Sequence, residues 1–235
     1  MSVPTATGDA RKSRIPPLEN GDRLSRDEFE RRYHAMPKDV KAELIRGVVY
    51  MASPARYDSH GRPDGRSIVW VGTYSASTPG TDFAPNSTVR LTQDSEPQPD
   101  SVLFITPEYG GTVVISEDDY IENSPDLIVE VAASSVSIDL GAKFDEYAEA
   151  GVREYVVWRT LDDAIDWFVL RSGAFVPLTP DGAGILRSEV FPGLWLNVPA
   201  ALCRDMAAIL ATLQQGLQSP EHARFVAELQ ACRTS

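Results

Sequence analysis

Apolar and polar positions alternate along the chain in a way that marks out its elements. Leu24-Ser25-Arg26-Asp27-Glu28 reads as a capping box, with Ser25 capping the first turn and Glu28 reaching back to the cap's own amide. A short helix is expected from there to about Tyr33. AELIRGVVYMAS follows as two β-favouring runs broken at Arg46-Gly47, where glycine can take the positive φ of a tight hairpin turn. From Ser59 to Thr78 the apolar series Ile68, Val69 and Val71 points to a helix, weakened by Gly61, Pro63, Gly65 and Gly72. STVRLT and PDSVLFI are extended in character and the DSEPQP between them is turn-like, so Asp100 opens a strand.

Residues 106–125 mix glycine, proline and the acidic cluster Glu117, Asp118, Asp119 and Glu122 without a period, the pattern of an exposed insertion. DLIVEVAASS is a near-continuous apolar run, as in a central strand buried on both faces, with Glu130 inside it. DLGAKFDEYAEA is helical in spacing, places Lys143 and Tyr147 on one face, and meets a glycine C-cap at Gly151. REYVVWR, AIDWFVL and AFVPLT predict a strand meander. ALCRDMAAILATLQQGL and PEHARFVAELQAC predict two C-terminal helices, the second opened by Pro220. The sum is an α/β (α+β) fold with a mixed sheet flanked by helices, an N-terminal helix and hairpin, and C-terminal helices.

Length and composition refine this picture. At 235 residues, with 43% hydrophobic and 24% charged residues, the chain suits one folded domain with decorated ends. The expected division is a flexible leader at 1–20, a main domain at 21–198 and a helical extension at 199–235. The apolar runs are shorter than the roughly 20 residues that cross a bilayer, the N-terminus has no signal-like apolar core, and two cysteines give no disulfide framework. A cytoplasmic protein with no membrane span is expected. The net charge of -12 weighs against strong nonspecific DNA binding, since phosphate affinity comes largely from Lys and Arg.

Glu130 carries the candidate chemistry. A carboxylate in an apolar strand needs a cation, a hydrogen-bond network or a raised pKa. Asp100, at the start of another strand, could project to the same place, and two carboxylates with water and phosphate oxygens suit Mg²⁺, or Mn²⁺ in its stead. Lys143 lies one connection further on, within reach of a metal-bound water or a phosphate, which points to phosphodiester hydrolysis. Each residue also has a plainer reading. Asp100 can cap a turn after Pro99, Glu43 can be a solvated strand-edge residue, and Lys143 can pair with Asp139 on a helix surface. His60 is a phosphate contact, a proton carrier or a structural histidine, and Tyr147 reads as core packing.

ELIRGVVYMASP, the following His60, TVRL, QPDSVLF, SPDLIVEVAASS and GAKFDEYAEAGVREYVVW resemble, in order and spacing, the Uma-type family of putative restriction endonucleases. The resemblance spans roughly Leu24 to Leu196 and is most specific from Pro125 to Trp158. It implies the PD-(D/E)xK nuclease fold, with acidic positions at Glu43, Asp100 and Glu130. The superfamily pattern places a lysine two residues after the second acid. Here Glu130-Val131-Ala132 has alanine, so Lys143 on the following helix takes that role. The function implied is a metal-dependent endonuclease acting on DNA as a possible homodimer, with Ala207, Leu210, Leu213 and Leu217 as an apolar interface. The alternatives are a catalytically inactive binding or assembly module and a hydrolase of small phosphorylated molecules.

Overall fold

The computed structural model describes residues 15–233. Residues 1–14, most of the expected leader, lie outside the described residues. Helix α1, Arg26–Tyr33, begins at Ser25, whose hydroxyl accepts the Glu28 amide. It covers a hairpin of β1, Ala42–Ile45, and β2, Val48–Met51, turned at Arg46 and Gly47, both with positive φ. Leu18, Phe29, Leu44 and Val49 form a small core there. A single π-helical turn, Tyr57–Gly61, then runs into α2, Arg62–Ala76.

The strands β3, Thr81–Pro85, β4, Val89–Arg90, and β5, Ser101–Ile105, come next. They are followed by β6, Val114–Ile115, β7, Ile121–Glu122, and β8, Leu127–Ala132. The segment 106–125, expected to be exposed insertion throughout, pairs β6 and β7 with β4 in a small sheet and buries Val113 and Ile121. Two apolar anchors in a polar segment lack the periodicity that marks a strand, although they are enough to dock it.

Beyond β8, the short helix α3, Val136–Asp139, and α4, Ala142–Ala150, lead to β9, Glu154–Arg159. Gly151 caps α4 in the left-handed region, at φ 87°. The meander β10, Ala164–Arg171, and β11, Ala174–Pro177, precedes the hairpin of β12, Ile185–Arg187, and β13, Trp195–Asn197. The main sheet has the order β11-β10-β9-β8-β5-β3 and is mixed: β8 and β9 are parallel, their neighbours antiparallel. All six residues of β8 are buried, as a central strand with both faces covered requires.

The C-terminal part forms three helices rather than two: α5, Val198–Leu202, α6, Met206–Leu217, and α7, Pro220–Cys232. The break falls at Arg204, whose φ is 62°, and Asp205 then caps α6 by accepting the Ala208 amide. Ile209 and Leu213 belong to the main core, with Leu210 and Leu217 packed against it, so these leucines pack within the protein's own core. The approach is close enough that a Cβ on Gly216 would stand 2.2 Å from the Gly193 carbonyl oxygen.

Candidate active site

Strand register brings the two expected carboxylates together. Ser101 pairs with Val129 in the antiparallel ladder of β5 and β8, so the next step places Asp100 opposite Glu130. Asp100 Oδ2 accepts the Val131 amide at 2.6 Å, which fixes the carboxylate and turns Oδ1 towards the π-helical turn. There His60 Nε2 lies 3.3 Å from Oδ1, while His60 Nδ1 lies 3.0 Å from the Val131 carbonyl oxygen. With acceptors at both ring nitrogens, the imidazole holds its proton. Its pKa is raised to about 9, first by the hydrogen bond to Asp100 and against the pull of partial burial.

Asp64 completes this side, and the sequence reading missed it. One oxygen each from Asp64 and Asp100 and one nitrogen from His60 lie within 4.8 Å of one another. Asp64 Oδ1 is buried with no hydrogen-bond partner. Burial, then the Asp100 charge, raise the Asp64 pKa to about 6. A buried acceptor without a donor is costly unless a cation serves it, and a carboxylate pair with an imidazole suits a divalent metal such as Mn²⁺. The residues therefore fit a metal, and because ligands must be deprotonated, a bound ion would compete with the proton that His60 holds. The signal was present in the sequence as His60 and Asp64 at i, i+4, a spacing obscured by the glycines around it.

On the other side stands Lys143, which is only 4% exposed. Its ammonium lies 2.8 Å from Glu130 Oε1, 2.9 Å from Glu43 Oε2 and 3.7 Å from Asp139 Oδ1. Tyr147, one turn along α4, donates its hydroxyl to the same Glu130 oxygen at 2.9 Å, so it is a site residue as well as core. Glu43 is held in turn by the Gln98 amide, which donates to Oε1 at 3.0 Å. Burial alone would lower the Lys143 pKa, but Glu130, Glu43 and Asp139 outweigh it and keep the ammonium charged. Burial, and then the neighbouring carboxylates against the pull of Lys143, push Glu130 well above the usual range. One ammonium among three carboxylates leaves an excess of negative charge, which a proton on a carboxyl or an added cation relieves.

The structure thus gathers Asp100, Glu130, Lys143, Glu43 and His60 at one end of the central strands and adds Asp64, Asp139 and Tyr147. Ala132, two residues after Glu130, is fully buried, and the ammonium beside Glu130 is that of Lys143 on α4.

A family model, Uma2, described as "Putative restriction endonuclease", matches residues 26–199. Among solved structures, a "putative nuclease belonging to DUF820" from Anabaena variabilis superposes with a TM-score of 0.55 at 11% identity, covering 74% of this chain and 96% of that one. That likeness is one of fold. No curated protein matches.

Proposed function

The chain belongs to the Uma2 family of putative restriction endonucleases, and from that membership we propose that it is a metal-dependent nuclease hydrolysing phosphodiester bonds in DNA. One observation carries the reading: the Asp64–Asp100–His60 cluster and a buried, charged lysine at Glu130 meet across adjacent strands. Asp100 and Glu130 are the carboxylates for Mg²⁺ or Mn²⁺, with His60 and Asp64 completing the donor set around Asp100. When bound, the metal would acidify a coordinated water and neutralise charge on the phosphate.

The remaining steps belong to the chain's own groups. Lys143, held protonated, cannot be the base. It orients the attacking water and stabilises charge growing on the phosphoryl oxygens. Glu43, which touches the same ammonium, accepts the proton as the water oxygen bonds to phosphorus and the P–O bond to the leaving oxygen breaks, and the leaving oxygen takes a proton from solvent water. Tyr147 fixes Glu130 so that it presents one orientation.

The test is cleavage of labelled single- and double-stranded DNA and RNA with Mg²⁺, Mn²⁺ or EDTA. Wild type is expected to cut with metal and not with EDTA, and Glu130→Gln and Lys143→Met to lose on the order of a hundredfold in rate or more. Variants as active as wild type would refute the assignment. A second reading is favoured by Ala132 and by the enclosure of Lys143 among carboxylates: a nuclease fold that binds without turnover. It predicts nucleic-acid binding and no cleavage with any metal.

A further inference from the structure

The two most exposed large apolar side chains among the described residues are Tyr57, 73% exposed, and Leu161, 67% exposed. They come from segments about a hundred residues apart that one hydrogen bond joins, the Thr160 hydroxyl donating to the Ser59 carbonyl at 2.6 Å. Tyr57 opens the π-helical turn that carries His60 to Asp100. Leu161 lies in the turn after β9, just past Arg159, which pairs in register with Ala132, two residues beyond Glu130. Both segments therefore run beside the candidate site, Tyr57 three residues before His60 and Leu161 two residues after the partner of Ala132. Among the described residues Tyr57 is also the one aromatic ring so exposed. Two large exposed apolar side chains on segments joined beside a polar site mark a contact surface.

The charge beside them is unlike that of the chain as a whole. Arg62 pairs with Asp58 at 3.1 Å, and Arg204 reaches the same carboxylate at 3.7 Å. Arg66 donates to the Arg62 and Arg204 carbonyls and forms no ion pair among the described residues. Two guanidiniums thus share Asp58, with Arg66 beside them, in a chain of net charge -12. The Arg62 guanidinium also lies 5.8 Å from the Tyr57 ring centre. On the Leu161 side the acids prevail: Arg159 pairs with Asp162 and Asp166, and Asp163 is exposed at the tip. A phosphate backbone would follow the arginines and turn its bases towards Tyr57 and Leu161.

We propose that the Tyr57–Leu161 rim seats an unpaired nucleobase while Arg62, Arg66 and Arg204 hold the adjoining phosphates, which makes single-stranded nucleic acid the substrate class of this site. The proposal rests on the nuclease reading for its site and sharpens its substrate. A ring stacks on a base only where the base face is free, and base–aromatic stacking tolerates any sequence.

The experiment is fluorescence anisotropy of labelled oligo(dT), of a blunt hairpin duplex and of an abasic deoxyribose-phosphate oligomer, in EDTA and in millimolar Ca²⁺. Tyr57 is exposed, so its substitution leaves the fold intact. Wild type is expected to prefer oligo(dT) to the duplex. Tyr57→Ala should weaken oligo(dT) binding roughly ten- to a hundredfold, Tyr57→Phe should restore it, and wild type should bind the abasic oligomer as weakly as Tyr57→Ala binds oligo(dT). Equal affinity for the duplex, no binding by wild type, or no effect of Tyr57→Ala overturns the proposal. Tyr57-dependent strand binding without cleavage would leave it standing and remove the nuclease reading. Cleavage unchanged by Tyr57→Ala would do the reverse.

Discussion

At the scale of single residues, Lys143 is the hinge of the site, because it is the one cation that Glu130, Glu43 and Asp139 share. Removing it strands buried carboxylates, and breaking a buried pair costs about 3–5 kcal/mol. Lys143→Ala should therefore lower the unfolding free energy in urea by that amount, whereas Glu130→Gln, which removes excess negative charge, should cost little. A loss below about 1 kcal/mol for Lys143→Ala would mean that the cluster is not closed in solution. The residue chemistry was partly legible in the sequence. A glutamate inside an apolar strand announces a partner, and Lys143 and Tyr147 share one face of α4, with Asp139 four residues before Lys143 at the end of α3. What the sequence hid was the role of Tyr147, since a phenol on an apolar helix face looks like packing, and Asp64, whose helix begins among glycines.

At the scale of elements, the central strands position the chemistry, and β9 bears a second buried carboxyl that acts on architecture. Glu154 accepts the Glu189 and Val190 amides on one oxygen and the Ser188 hydroxyl on the other, tying the sheet to the loop that leads to β13. Burial outweighs these donors and raises its pKa from 4.5 to about 7. The folded protein therefore holds a proton that the unfolded chain releases above pH 4.5. The associated stability is complete below pH 4.5 and is lost as the pH rises to 7, about 3 kcal/mol for a shift of this size. Glu154→Gln mimics the protonated group, so thermal or urea unfolding should show wild type losing ground to the variant by about that much between these pH values. A constant difference would show that Glu154 ionises normally. The main strands, the first hairpin and α4 were legible because their periods are long and regular. The small sheet of β4, β7 and β6 was not, because its strands are two residues each. The division between α5 and α6 rests on one left-handed residue, Arg204, that apolar spacing does not reveal.

For the molecule as a whole, the fold follows the family resemblance, and the acidic charge is distributed rather than prohibitive: carboxylates line the site and arginines lie beside it. Among the described residues no helix is long and apolar enough to cross a membrane. Of the α6 residues expected to form a dimer face, Leu213 lies in the core, Leu210 and Leu217 are partly buried against it, and Ala207 is exposed. The central claim is that the donors around Asp100 hold a divalent cation. The most direct test is the melting temperature of wild type and Asp100→Asn with and without Mn²⁺. A native-state ligand at about 100 times its dissociation constant adds roughly 2.7 kcal/mol of stability, so wild type should melt higher with Mn²⁺ and Asp100→Asn should not respond. A wild type indifferent to millimolar Mn²⁺, or a variant that gains as much, would contradict the metal site and the mechanism built on it.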